Sequence, residues 1–149
     1  EVVGLQGYEE KVPFTLTKGE RQRVAVASVL AVQPNVIILD EPTTGLDDGH
    51  QQDMMSMLKR LNQHGHTIII ITHSMSAAAE YASRTIVMKD GRLLLDGPTR
   101  EVFADEARLA EASLCPPPLV RLSNWLGTGA LTIQEMVNEL REIPKPNHP

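Results

Sequence analysis

The pattern of hydrophobic positions predicts strands and helices that alternate over the first two thirds of the chain. Residues 36–39 and 67–72 are short apolar runs rich in β-branched side chains, which is typical of buried parallel strands. Between them, residues 48–64 repeat apolar positions at the i, i+3, i+4, i+7 spacing of an amphipathic helix. The pattern therefore predicts a strand–helix–strand unit of a parallel sheet.

The segments on either side of this unit add further helices. Residues 19–32 are mostly apolar after the first turn, which predicts a buried helix that ends before Pro34. Residues 1–18 contain glycines and a proline, so a short helix followed by a loop is expected there. Ser74 is a predicted N-cap for a short helix that runs to Ala82.

A hairpin and a helical tail are predicted after the second strand. The dipeptide Asp90-Gly91 between residues 85–89 and 92–95 is a strong signal for a two-residue hairpin. Strand signals cease after Gly97, and small helices are predicted at residues 99–104, 105–113, 117–126 and 132–142. The order of elements indicates an α/β protein with part of a doubly wound sheet, followed by small helices.

Three features of the tail carry structural interpretations only. Residues 116–118 are three consecutive prolines that mark a break, and Thr132 and Glu135 have the spacing of a capping box for the last helix. Trp125 is interpreted as a side chain that packs the small helical unit.

Composition narrows the function classes. The 149 residues include 14 Lys and Arg against 19 Asp and Glu, a net charge of −5, which disfavours binding to nucleic acid or to an anionic membrane surface. Cys115 is the only cysteine, so an internal disulfide and a thiolate metal cluster are excluded and a reducing compartment is expected. The chain begins at Glu1 rather than at a methionine, which suggests a fragment of a longer protein.

Two adjacent carboxylates follow the first predicted strand. Asp40 and Glu41 lie where the strand ends, at the carboxyl edge of the sheet, where doubly wound folds bind ligands. Successive strand side chains point in opposite directions, so one carboxylate could hold Mg²⁺ through water while the other orients a water for phosphoryl transfer. The alternative is a strand that ends in two solvated acids before a proline turn.

Two neighbouring segments favour the chemical interpretation. Residues 16–20 place a hydroxyl and a glycine at the start of the buried helix, where free N–H groups form an anion site, although Thr17 could be an ordinary N-cap. His73 follows the second predicted strand. It is either a structural histidine or a hydrogen-bond partner of a γ-phosphate and of the water-orienting acid.

Together these residues resemble the ATP-binding cassette (ABC) ATPases. Leu16-Thr17-Lys18-Gly19-Glu20 looks like the signature motif, and residues 36–41 look like the Walker B strand with its catalytic glutamate. Residues 44–47 resemble the D-loop, and His73 resembles the switch histidine. The resemblance implies the C-terminal part of the doubly wound sheet of a P-loop NTPase, with a small helical C-terminal tail.

The resemblance also implies a role for each of these residues. The signature, residues 16–20, would bind the γ-phosphate of an ATP held by the opposite subunit of a head-to-tail dimer, with Thr17 and Gly19 in contact. Asp40 would lie on the water shell of Mg²⁺ and Glu41 would be the general base, assisted by His73. Asp47 would link the two sites across the interface. Implied cofactors are therefore ATP and Mg²⁺.

Narrower stretches are similar to the cassette proteins of energy-coupling factor importers, namely residues 19–28, 88–92, 97–103 and the proline-rich tail. This similarity implies ATP hydrolysis coupled to uptake of a vitamin or of a cobalt or nickel ion, at the cytoplasmic face of the membrane. The implied partners are a second cassette and transmembrane transporter subunits, with no nucleic acid. Residues 1–105 would be the C-terminal part of a nucleotide-binding domain, and residues 106–149 a small helical extension.

The sequence also departs from the family pattern. Thr17 replaces the usual serine, Lys18 a glycine, and Asp48 a proline found in many members. No G-x-x-x-x-G-K-[S/T] phosphate loop (Walker A) occurs in the sequence, and Gln6 and Tyr8 lie too near the signature to be the Q-loop glutamine and the base-stacking aromatic. We therefore expect this chain alone to be inactive. The alternatives to a transporter subunit are a soluble ABC ATPase and a non-catalytic cassette half that acts as a dimerisation module.

Overall fold

The strand–helix–strand unit is present in the computed structural model, which describes residues 3–142. Strands β1 and β2 pair in parallel, with Val36 opposite Thr67 and Asp40 opposite Ile71. They belong to the first of two compact units, Glu1–His73. The regular elements of this unit are α1 (Lys18–Leu30), β1 (Val36–Asp40), α2 (Asp48–Gln63) and β2 (Thr67–Ile71). The predicted bounds are confirmed to within two residues.

The short helix predicted within residues 1–18 is wrong for the described part of that segment. Between residues 3 and 17 the backbone forms turns and one 3₁₀ turn, Pro13–Thr15. Gly4 and Gly7 have φ of +65° and +80°, a left-handed conformation that glycine adopts without a steric penalty and that interrupts a right-handed helix.

The predicted burial of α1 and of the two strands is also wrong in this chain. Only Gly19 and Val26 are buried in α1, and Val36, Ile38, Ile69 and Ile71 of the strands are 45–64% exposed. Exposure alternates with burial along β1, which is typical of a sheet covered on one face. The predicted burial of the apolar side of α2 is confirmed. Its buried members are Met54, Met55, Met57, Leu58 and Leu61.

The second compact unit, Ser74–Pro149, contains the hairpin and the remaining helices. Ser74 caps the first helix, since its Oγ accepts a hydrogen bond from the N–H of Ala77 at 3.3 Å. Asp90 and Gly91 both have positive φ, 49° and 72°, as the predicted two-residue hairpin requires. The elements are α3 (Met75–Tyr81), β3 (Arg84–Lys89), β4 (Arg92–Pro98), α4 (Thr99–Ala104), α5 (Glu106–Glu111), α6 (Pro118–Leu126) and α7 (Ile133–Glu142).

The strands β3 and β4 pair antiparallel, and the described strands form two separate two-stranded sheets. In the second unit, Phe103 and Leu109 are fully buried and Val120 is 1% exposed. They share one hydrophobic core with Val87 and Leu95 of the hairpin. The predicted division of the chain at residue 105 rests on the family resemblance and stays a prediction.

The interpretation of Trp125 as a packing residue is wrong, because its side chain is 82% exposed. The buried positions of α6 are Val120 and Ser123. At 100° per residue, Trp125 lies on nearly the opposite side of the helix from these two. Within residues 3–142, every helix is too short or too polar to cross a lipid bilayer.

Candidate active site

The parallel pairing of β1 and β2 brings the predicted catalytic residues to one edge of the sheet. Asp40 is the last residue of β1 and lies opposite Ile71, the last residue of β2. The pairing continues one residue further, since the N–H of Glu41 donates to the carbonyl oxygen of Ile71 at 2.9 Å. Glu41 and His73 therefore follow the strands at the same edge, as the order of strands in the sequence predicts.

Glu41 is held by three hydrogen bonds to its two carboxylate oxygens. Its Oε1 accepts from the backbone N–H of His73 at 3.0 Å and lies 2.7 Å from the ring Nδ1 of the same residue. Its Oε2 accepts from the hydroxyl of Thr44 at 2.8 Å. These bonds from His73 and Thr44 lower the pKa of Glu41. The side chain is therefore an oriented carboxylate at neutral pH, the form that accepts a proton.

The backbone of Glu41 is strained. Its φ is +49°, a left-handed conformation that costs a non-glycine residue about 1–2 kcal/mol. Such strain persists only where the surroundings enforce it, and it is concentrated at functional sites. Here the hydrogen bonds from His73 and Thr44 hold the side chain while the backbone keeps its left-handed conformation. Together they set the direction in which the carboxylate leaves the strand.

Asp40 is exposed at the end of β1. Among residues 3–142, no group of three His, Cys, Asp or Glu side chains is arranged to hold a metal ion. Mg²⁺ is commonly bound through one or two carboxylates, with waters and substrate phosphates completing its octahedron. The single carboxylate of Asp40 therefore fits Mg²⁺ that arrives with a nucleotide and does not fit a metal held by protein ligands alone.

The start of α1 forms a complete capping box. The hydroxyl of Thr17 accepts from the N–H of Glu20 at 3.3 Å, and Oε2 of Glu20 accepts from the N–H of Thr17 at 2.7 Å. Leu16 is buried and anchors this turn. The N-cap interpretation of Thr17 is thus confirmed in this chain, and a role in phosphate binding stays a prediction.

Tyr8 stabilises this capping box, and the sequence analysis did not predict its role. Its hydroxyl donates to Oε1 of Glu20 at 2.7 Å. The backbone N–H of Thr17 and then the Tyr8 hydroxyl lower the pKa of Glu20 from its ordinary 4.5 to about 2. A carboxyl whose pKa falls on folding adds stability above its unfolded pKa, and this stability is lost as the pH falls towards the folded value.

We expect Tyr8→Phe to raise the pKa of Glu20 and to move the acid-induced loss of the capping box to higher pH. The reason is that Phe removes one of the two donors that hold the ionised carboxylate. The measurement is a titration of the Glu20 carboxyl carbon by NMR. Tyr81→Phe, which removes the only other tyrosine hydroxyl, is the control. An unchanged Glu20 pKa in Tyr8→Phe would contradict the assigned hydrogen bond.

Asp47 begins α2 as its N-cap. Its Oδ1 accepts from the N–H of His50 at 3.0 Å, and its Oδ2 lies 2.6 Å from Nδ1 of the His50 ring. Both contacts lower the pKa of Asp47, the backbone hydrogen bond more than the ring. The starts of α1 and α2 also meet here, because the His50 ring lies against Gly19 and the Lys18 amine lies against Gly45.

Comparison with known proteins identifies the family of this chain. A family model described as ABC transporter matches residues 1–44. An ABC transporter ATP-binding protein of Caldanaerobacter subterraneus subsp. tengcongensis is 56% identical over 138 residues, which cover 93% of this chain and 24% of the relative. The chain belongs to the ATP-binding cassette family.

Two further matches within the ABC family refine the comparison. The energy-coupling factor transporter ATP-binding protein EcfA2 of Methanospirillum hungatei is 40% identical, over 98% of this chain and 38% of its own length. The solved structure of CbiO1 from Clostridium perfringens, part of the ABC transporter complex CbiONQ, is 35% identical, with a TM-score of 0.66 over 85% of this chain and 49% of CbiO1. The predicted fold class is confirmed, and the chain spans between a quarter and a half of these relatives.

The structure thus places the sequence-predicted residues of this ABC chain in two groups within the first unit. Asp40, Glu41 and His73 form the group at the sheet edge, and Asp47 and residues 16–20 form the group at the helix starts. Three partners of these residues, Tyr8, Thr44 and His50, were not predicted from the sequence. The only sequence signal for the contacts of Thr44 and His50 was their position three residues after a carboxylate. No sequence signal predicted the contact of Tyr8.

Proposed function

We propose that the intact protein containing this chain is the ATP-hydrolysing subunit of an ABC importer of the energy-coupling factor type. The observation that carries the proposal is the contact between Glu41 and His73 at the strand ends, with 2.7 Å between Oε1 and Nδ1. A base oriented by a second group is the arrangement that activates a nucleophile. The relatives named as energy-coupling factor ATP-binding proteins support the transporter class.

In the proposed reaction, a water attacks the γ-phosphorus of ATP and the bond to the bridging oxygen of ADP breaks. Glu41 takes the proton of the attacking water, and its position is held by His73 and Thr44. Because the carboxylate only accepts hydrogen bonds, Nδ1 of His73 carries a proton, and Nε2 would be the ring atom that contacts the γ-phosphate. Asp40 would hold Mg²⁺ through water, and the ion would neutralise charge on the phosphate oxygens.

The start of α1 supplies the proposed contact with a second cassette. α1 has 13 residues, and a helix N-terminus attracts phosphate through its N–H groups and dipole. We propose that Thr17, Lys18 and Gly19 contact the γ-phosphate of an ATP bound to the opposite subunit in a head-to-tail dimer. Leu16 and Glu20 shape this turn, and Asp47 links the two sites.

The remaining parts of the proposal concern location and cargo. Residues 1–105 would belong to the nucleotide-binding domain, and residues 106–149, of which the structure describes 106–142, would be a separate extension. The intact protein binds transmembrane subunits at the cytoplasmic face of the membrane and drives uptake of a vitamin or of a cobalt or nickel ion. The name of CbiO1, part of a CbiONQ complex, supports an assembly of this kind.

The deciding experiment is an uptake assay with the full-length protein reconstituted into liposomes with its co-expressed membrane subunits. We expect ATP-dependent uptake of labelled cobalt, nickel or a vitamin, which Glu41→Gln abolishes. A soluble ABC ATPase would be favoured if the full-length protein hydrolyses ATP but binds no membrane subunits and drives no uptake. If the full-length protein hydrolyses no ATP, either alone or with its membrane subunits, a non-catalytic cassette half would be favoured.

We further expect that the 149-residue chain alone does not bind Mg-ATP in the micromolar range. Phosphate affinity in P-loop NTPases comes chiefly from the glycine-rich loop and its lysine, and this sequence contains no such motif. Isothermal calorimetry measures the affinity, with the full-length protein as the positive control. A micromolar dissociation constant for the isolated chain would show that the chain contains a nucleotide site which the motif analysis misses.

A further inference from the structure

His50 occupies both carboxylate oxygens of Asp47. Its backbone N–H donates to Oδ1 at 3.0 Å, and its ring Nδ1 lies 2.6 Å from Oδ2. The first contact is the ordinary helix cap, which any residue with an N–H at this position provides. The second contact requires the imidazole and prevents the carboxylate from rotating about its terminal bond. The orientation of Asp47 therefore depends on the side chain at position 50.

The opposite side of the same imidazole lies against the start of α1. A Cβ built on Gly19 would lie 3.2 Å from Cδ2 of His50, which is tighter than ordinary van der Waals contact. Gly19 is buried, although Lys18 before it is exposed. The ring therefore contacts the Asp47 carboxylate and lies on the side of Gly19 where a Cβ would project.

We propose that His50 is a positioning residue that aligns Asp47 and the start of α1 with each other. Its effect on hydrolysis rests on the proposed function, because it acts through residues that would contact the second subunit and its ATP. The contact itself does not depend on that function. Since the ring is 47% exposed and makes one side-chain hydrogen bond, its loss should lower the rate of hydrolysis and the dimer association constant roughly 3- to 10-fold.

The functional test uses three variants of the full-length protein. His50→Leu keeps an apolar side chain against Gly19 and removes the donor. His50→Asn returns a donor near the position of Nδ1. His64→Leu is the control, because His64 lies at the other end of α2 and its Nδ1 bonds the carbonyl of Arg60.

We expect His50→Leu to lower kcat and ATP-dependent dimer formation while the affinity of the single subunit for ATP stays unchanged. His50→Asn should restore most of both, and His64→Leu should leave both unchanged. A residue needed only for folding would not separate kcat from ATP affinity, nor would it be rescued by asparagine. Unchanged hydrolysis in His50→Leu, alongside an inactive Glu41→Gln, would overturn the role of His50 and leave the proposed function standing.

A spectroscopic measurement tests the contact independently of hydrolysis. Long-range ¹⁵N–¹H NMR of the full-length protein with labelled histidine, above the ordinary histidine pKa, should show His50 protonated at Nδ1. Asp47→Ser keeps a helix cap but cannot reach the ring, so this preference should disappear in it. Protonation at Nε2 in the unmodified protein would overturn the proposal. If Glu41→Gln hydrolyses ATP normally, the proposed function fails, and this measurement still decides whether His50 holds Asp47.

Discussion

Glu41→Gln in the full-length protein should lower the rate of ATP hydrolysis about 10²- to 10⁴-fold, the contribution typical of a general base. The amide oxygen of glutamine can accept both bonds from His73, as Oε1 of Glu41 does at 3.0 Å and 2.7 Å. The amide cannot take the proton of the attacking water. The hydrogen bonds that orient the side chain are therefore kept, and general-base catalysis is lost. Phosphate release under saturating Mg-ATP measures the effect.

The neighbouring carboxylate provides the control for this result. With Glu41→Gln, ATP should still bind and the nucleotide-dependent dimer should accumulate in sizing chromatography, because the nucleotide that bridges it is not hydrolysed. Asp40→Asn should instead weaken Mg-dependent binding, so that no such dimer accumulates. Hydrolysis at the unmodified rate in Glu41→Gln would show that another group is the base.

Phe103→Ala should destabilise the second unit by about 3–5 kcal/mol, the usual cost of removing a fully buried aromatic side chain. The Phe103 side chain is 0% exposed and lies in the core that joins the hairpin to α5 and α6. Truncation leaves a cavity bordered by side chains that cannot collapse fully. Because the chain has two units, amide hydrogen exchange in residues 74–142 measures the effect better than one global melting curve.

Trp125→Ala is the matched control, since it also removes a large aromatic side chain but from a position that is 82% exposed. Its effect on the same amides should be within about 0.5 kcal/mol, as for surface substitutions. If Trp125→Ala destabilised the unit as much as Phe103→Ala does, the exposed position assigned to Trp125 would be wrong.

Local sequence patterns predicted most of the secondary structure because their causes are local. Asp90-Gly91 forms the hairpin turn since both residues adopt positive φ. Ser74 and Thr132 cap the helices after them, with Oγ–N distances of 3.3 Å to Ala77 and 3.2 Å to Glu135. The short helix predicted within residues 1–18 was wrong because Gly4 and Gly7 adopt left-handed conformations that interrupt a helix. Composition alone does not specify these conformations.

Burial was predicted less well, because it depends on what packs against each side chain. The apolar residues of α1, β1 and β2 looked like core residues in sequence, yet Val29 is 46% exposed and Ile38 is 64% exposed. Hydrophobicity gives the free energy available on burial and does not say whether a partner is present. The prediction for Trp125 was wrong for the same reason. The buried residues of α6 are Val120 and Ser123, on the other side of the helix.

For the candidate site, the residue types at the ends of the two strands and at the starts of α1 and α2 follow directly from the order of residues in the chain. Parallel strands place their carboxyl ends together, so the meeting of Glu41 and His73 followed from their order in the chain. The groups that hold these side chains in place are set by the three-dimensional packing. The bonds of Thr44 to Glu41 and of His50 to Asp47 depend on side-chain rotamers, which the three-residue spacing permits but does not fix. The bond of Tyr8 to Glu20 depends on the approach of two segments 12 residues apart.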